Sequence, residues 1–140
     1  MDPYEFGCAL SDRIRRWRRL VDKSILPLNL TVGEFRVLRV LSESGPAAMV
    51  RLAKEQTITQ AAMTSIVDHL EELELIDRLG DETDRRVTKV TITQKGREEV
   101  KMGLRLYRKF IDKASRNLTP NEKRGLLTIL DHMLEAAERA

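Results

Sequence analysis

The chain has 140 residues, enough for one domain with a real core, and its 34% charged fraction is interrupted by regular apolar stripes that exclude a disordered segment. No run of about 18 apolar residues and no secretory signal is visible, so a soluble, cytoplasmic protein that does not enter the membrane is expected. The net charge of +3 is only mildly basic, and a single cysteine, Cys8, excludes an internal disulfide framework.

Residues 4–28 read as one long helix, with Phe6, Leu10, Ile14, Trp17 and Val21 spaced by three and four residues along a single stripe, closed by Pro27 and Asn29. Thr31 and Glu34 then make a capping box, with Leu30 and Phe35 as a hydrophobic staple. A second helix therefore starts at Val32 and runs to about Ser44, where Gly45-Pro46 stops it. Residues 46–48 are a short strand or an extended link. A short helix over 49–56 turns Leu52 and Ala53 inward, and Thr57-Ile58-Thr59 forms a turn in which Thr59 caps the next helix. That helix spans 60–74 and buries Met63, Ile66, Val67, Leu70 and Leu73. A short helix, a tight turn and a longer helix form a helix-turn-helix.

A strand over 76–79, a charged turn Gly80-Asp81-Glu82-Thr83-Asp84 and a β-branched strand over 87–92 form a hairpin with Arg85 and Arg86 at its tip. Thr93 caps a long helix over 94–117 with the stripe Val100, Leu104, Tyr107, Ile111 and Ala114. Thr119-Pro120-Asn121-Glu122 is a capping box opening a last helix that carries Leu126, Leu127, Leu130, Met133, Leu134 and Ala137. The fold class is mainly α (α+β): a winged helix-turn-helix over 31–93, with long N- and C-terminal helical arms over 1–30 and 94–140. Arms of that length carry apolar stripes longer than the central core needs, so they are expected to form a dimerisation region.

A helix-turn-helix followed by a hairpin with arginines at its tip points to double-stranded DNA as partner. Residues 46–95 hold seven basic and nine acidic side chains, so positive charge must be focused on one face. On the second helix of the motif, Gln60, Ala61, Ala62, Thr64 and Ser65, with His69 as a further candidate, face away from the buried stripe. Gln60 suits adenine, the alanines thymine methyls, and the hydroxyls bases or phosphates. Asp68, Glu71, Glu72 and Glu74 would be repelled by phosphate and belong off the DNA. In the wing, Arg86 suits a narrow minor groove, Asp84 can hold its guanidinium as a bidentate partner, and Arg85 and Lys89 suit phosphates. Two histidines and one cysteine are too sparse for a metal site, and no phosphate loop, catalytic triad or zinc-hydrolase motif appears. Neither catalysis nor a cofactor is expected.

Three stretches together resemble the multiple antibiotic resistance regulator (MarR) family of winged-helix transcription factors. They are Leu30-Thr31-Val32-Gly33-Glu34-Phe35-Arg36-Val37-Leu38; Leu52-Ala53 through Ile66-Val67-Asp68-His69-Leu70-Glu71; and Asp84-Arg85-Arg86 leading to Ile92-Thr93-Gln94-Lys95-Gly96. The resemblance covers nearly the whole chain. It implies an obligate homodimer with interlocked terminal helices, each winged helix taking one half-site of a pseudo-palindromic operator. The family commonly represses its own or a neighbouring operon and is released by small aromatic or phenolic ligands, although some members activate. Four positions depart from the pattern. Gln56-Thr57 stands where the family often has an apolar residue and glycine, Glu74 where a helix-ending glycine is usual, and Ser65 where many members carry arginine.

The family's ligand pocket lies between the dimer helices and the winged helix, and the resemblance makes Arg16, Trp17 and Arg36 the ligand-binding candidates. Peroxide-sensing relatives carry a reactive cysteine near the start of the first helix, a neighbourhood similar to Cys8-Ala9-Leu10, with tyrosines on the second helix. Here that helix has Phe35 and no tyrosine, so Cys8 reads as a buried structural residue. A thiol-based redox sensor and a non-specific DNA-coating protein are the alternatives to a ligand-released repressor.

Overall fold

The computed structural model describes residues 1–80 and 83–140; Asp81 and Glu82, in the expected hairpin turn, lie outside the described residues. They divide into two compact units, Met1–Tyr107 and Arg108–Ala140.

In the first unit, α1 (Pro3–Ser24) starts at Asp2, whose carboxylate accepts from Tyr4 N–H, with proline in the first turn. The expectation of one helix over 4–28 is corrected here. The α-helix ends at Ser24, and a 3₁₀ turn, Leu26–Leu28, follows, closed by Asn29 at φ 56°. Pro27 has no N–H to continue an α ladder, and asparagine tolerates the left-handed conformation that ends the turn. α2 (Val32–Ser44) begins with the anticipated capping box, Thr31 Oγ1 accepting from Glu34 N–H and Glu34 Oε1 from Thr31 N–H. Gly45, at φ 79°, ends it.

The short segment after Pro46 is a strand, β1 (Ala47–Ala48), followed by α3 (Met49–Glu55) and α4 (Gln60–Glu72). α4 stops before Glu74, which sits at φ 62°, and Thr57 in the preceding turn sits at φ 55°. Both are left-handed positions of the kind glycine occupies at no steric cost, which accounts for the two departures from the family pattern. β2 (Ile76–Gly80) and β3 (Thr88–Ile92) pair antiparallel with Ile76 opposite Ile92 and Gly80 opposite Thr88. β1 adds to the other edge of β3, Ala47 opposite Val90, giving the order β1-β3-β2. The wing is thus tied to the residue before α3 as well as to its own hairpin partner.

The core gathers Ile25 and Leu28, then Phe35, Val37, Leu38 and Leu41 of α2, and Leu52 and Ala53 of α3. Met63, Val67 and Leu70 of α4, Ile76 and Val90 of the sheet, and Val100 of α5 (Gln94–Ser115) complete it. Each fully buried aliphatic side chain here contributes roughly 1.5–3 kcal/mol. Ile66 and Leu73, expected to be buried, are half-buried at the margin of this core. The start of α5 is fastened by a compact set of bonds. Thr93 Oγ1 donates to Glu74 O at 2.8 Å and accepts from Gly96 N–H at 3.1 Å. Thr93 N–H donates to Leu75 O at 3.0 Å, and Lys95 Nζ to Leu73 O at 2.9 Å. A Cβ on Gly96 would lie 2.3 Å from Leu75 O, and one on Gly103 would lie 2.1 Å from Phe35 Cε2. α5 approaches its neighbours at two points where only hydrogen fits.

In the second unit, α6 (Pro120–Glu138) opens with the expected capping box of Thr119 and Glu122. None of its residues is buried, and Leu126, Leu127, Ile129 and Leu134 are exposed. α1 likewise has no buried residue and exposes Tyr4, Phe6, Ile14, Trp17 and Leu20. No helix among the described residues is long and apolar enough to cross a membrane.

Candidate nucleic-acid interface

α4 presents Gln60, Ala61, Ala62, Thr64 and Ser65 as one exposed surface over its first turns, while Met63 and Val67 face the core. Thr59 caps the helix, its Oγ1 accepting from Ala62 N–H at 3.0 Å. The Thr64 hydroxyl donates to Gln60 O at 2.9 Å, so its proton is spent within the helix and it offers an outer partner only lone pairs. His69, the further candidate, follows Ser65 by one helical turn and is half-exposed. Its Nδ1 bonds Glu34 Oε2 of α2, drawing the imidazole back toward the body of the domain.

The wing is organised as its spacing suggested. Arg86 donates from Nε to Asp84 Oδ1 at 3.1 Å and from Nη2 to Asp84 Oδ2 at 3.2 Å, while its backbone N–H also reaches Oδ1 at 3.0 Å. The side chain of Arg86 is 89% exposed, against 37% for Asp84. The carboxylate holds the guanidinium plane and leaves its other edge to solvent. A solvent-exposed pair of this kind adds at most about 1 kcal/mol to stability, so its worth lies in orientation. Arg85 and Lys89 are exposed on the same wing.

The acidic side chains of α4 have an unanticipated task. Arg78 of β2 pairs with Asp68 and, at 3.7 Å, with Glu71, clamping the wing strand to α4. Arg78 is separated from Asp68 by ten residues and a reversal of the chain, so no periodicity announces the contact.

On the opposite side of α2 lies a cavity of about 580 Å³ lined by Trp17, Arg18, Val21, Asp22 and Ile25 of the first helical segment, Val32, Phe35, Arg36 and Arg39 of α2, and Leu104 and Tyr107 of α5. Two of the three ligand candidates, Trp17 and Arg36, meet here. Arg16 does not line it: at about 100° per residue, Trp17, Arg18, Val21, Asp22 and Ile25 share one face of the helix and Arg16 falls on the opposite one. Phe35, Arg39 and Tyr107 were missed as lining residues because the wall is shared among segments far apart in sequence. Cys8, expected to be buried, is exposed on α1, a helix that buries none of its residues.

A model of the MarR family matches residues 30–88, the helix-turn-helix and the start of the wing. The fold is shared with a mutant MarR of E. coli crystallised in complex with operator DNA, at TM-score 0.84 and 23% identity over 96% of this chain and 99% of that one. Bordetella bronchiseptica BpsR, whose DNA binding is regulated by 6-hydroxynicotinic acid, is 26% identical at TM-score 0.79, over 92% of this chain and 98% of its own. The transcriptional regulator BldR of Sulfolobus solfataricus is 30% identical at TM-score 0.75, over 97% of this chain and 99% of its own. With the winged helix, the Asp84–Arg86 wing and a full-length relative at that identity, the chain belongs to the MarR family: it is a DNA-binding transcriptional regulator, not an enzyme.

Proposed function

We propose that the protein is a homodimeric repressor that binds a pseudo-palindromic operator and is released by small aromatic acids. The observation that carries the DNA reading is the Asp84–Arg86 fork at the wing, aimed outward beside an α4 whose first turns expose small and polar side chains. In this reading Gln60, Ala61, Ala62, Thr64 and Ser65 face the major groove. Arg86 enters the adjoining minor groove, with Arg85 and Lys89 on phosphates. Residues 31–93 are the reading head, and residues 1–30 and 94–140 the dimerisation region. Support for the dimer comes from the two terminal helices, each of which leaves most of its apolar residues exposed and buries none. Two such heads then take half-sites about one helical turn apart.

The cavity supports the effector class. Trp17, Phe35 and Tyr107 supply aromatic walls, and Arg18, Arg36 and Arg39 outnumber the one carboxylate, Asp22. Its volume of about 580 Å³ suits a small molecule, and the balance of charge suits an aryl carboxylate or phenolate. The likeness to BpsR, regulated by an aromatic hydroxy acid, supports the same class.

Fluorescence anisotropy on the DNA upstream of its own gene and on duplexes enriched from a random pool, against scrambled duplexes at two salt concentrations, tests this. A regulator prefers its site by about 10³ or more, and Arg86→Ala costs about 1–3 kcal/mol of that binding. Equal binding to all duplexes with a steep salt slope would instead identify a DNA-coating protein.

A further inference from the structure

One turn beyond Ser65, α4 is fastened to α2 by a contact with unusual chemistry. Glu34 is the buried charged side chain of the core, 5% exposed. Its Oε1 is occupied by Thr31 N–H at 2.9 Å, and its Oε2 is bonded to His69 Nδ1 of α4. A carboxylate so far from water stays ionised at low cost only while a cation or several donors face it. We propose that Glu34 and His69 are positioning residues for DNA binding: the imidazolium of His69 on the buried Glu34 carboxylate fixes α4 against α2, and loss of that proton weakens the hold on DNA. This rests on the DNA reading above and adds a proton as a regulator of it.

The charged surroundings of His69 favour the imidazolium. Glu34 faces it from α2, and Glu72 lies three residues on along α4; both are acidic. The helix C-terminus at which His69 sits also prefers a cation. From β2, Arg78 is engaged with Asp68 and Glu71, and from α5, Lys95 is engaged with the Leu73 carbonyl. On α3 the charged groups are Arg51, Lys54 and Glu55, exposed, the first and last paired with each other at 3.0 Å. The hydrogen bond that His69 donates to Glu34, and then the charge of Glu34, hold the His69 pKa above the ordinary imidazole value. A group raised on folding contributes fully below its unfolded pKa, and the contribution is lost as pH rises through the folded value. The link is therefore fully present below about pH 6.5 and is lost as pH rises through the raised value.

The test begins by enriching a duplex from a random pool with the wild-type protein at mildly acidic pH. If no duplex is enriched, the DNA reading itself fails, and the proposal with it. With an enriched duplex, affinity is followed between about pH 6 and 9 for the wild type, His69→Gln, Glu34→Gln, the double variant and His132→Gln, with thermal denaturation alongside. His132 is the other of the chain's two histidines and serves as the control. Glu34→Gln retains an acceptor for the capping box, so it preserves the start of α2 while removing the charge. The wild type and His132→Gln are expected to lose roughly three- to tenfold in affinity as pH rises. His69→Gln and Glu34→Gln are expected to bind at the weaker level throughout, with flat profiles, and the double variant to be no weaker than either. A flat wild-type profile, or a His69→Gln or Glu34→Gln variant that retains the wild-type profile, would overturn the proposal; if one of them fails to fold, the other decides.

Discussion

Replacing Gly96 by alanine tests whether the junction of wing and arm is as tightly made as the geometry says. Within a helix, glycine to alanine normally stabilises by roughly 0.5–1 kcal/mol, because the unfolded chain loses freedom. At Gly96 the added Cβ would lie 2.3 Å from Leu75 O and 2.6 Å from Ile92 Cγ1. Unstrained contact needs roughly 1 Å more. The nearest obstacle is backbone, which cannot rotate aside. α5 or the 74–75 segment must shift, and both are held by the bonds from Thr93 and Lys95. Overpacking costs about 1–3 kcal/mol and each weakened hydrogen bond about 1 kcal/mol. Set against the helical gain, the net loss is about 2–4 kcal/mol, or a fall in Tm on the order of 10 °C for a chain of this size. The control is Gly33→Ala in α2, whose Cβ would meet Ile66 Cδ1 at an ordinary 3.7 Å and is expected to be neutral or slightly stabilising. Both variants are measured by urea and thermal denaturation at one protein concentration, since an oligomer's stability depends on it. A Gly96→Ala protein as stable as wild type would refute the reasoning.

Thr57→Gly should stabilise by up to about 1 kcal/mol in the same denaturation assay, because a β-branched residue at φ 55° gives way to one that adopts it freely. Gly103→Ala should cost about 1–3 kcal/mol and, by displacing the Phe35 ring that lines the cavity, also reduce binding of an aryl carboxylate followed by calorimetry. Arg36→Ala should weaken that same ligand by about tenfold while leaving DNA affinity unchanged in its absence, as a charge-assisted bond in the cavity is lost. Asp84→Asn should keep Arg86's charge but loosen its fork, so DNA affinity falls by less than for Arg86→Ala, with little change in Tm.

What the sequence by itself determined was everything carried by neighbours along the chain. Capping boxes at Thr31 and Thr119, the β-branched run before Thr93 and the Asp84–Arg86 spacing are local chemistry, and each was found where the pattern put it. Glu74 and Thr57 stood out because they occupy positions suited to glycine, and both proved to be left-handed. Tertiary structure alone decided which side chains meet across elements. Glu34 read as a cap, and its second oxygen turned out to hold His69, thirty-five residues away. Arg78 was only one of the seven basic side chains counted over 46–95, and it clamps α4. The cavity took Arg18 and not Arg16 because two positions along a helix are about 200° apart, which puts the two side chains on different faces. Periodicity specifies which face of an element is buried, whereas the crossing of two elements, and so the pairing of particular residues, is set by how all of them pack at once.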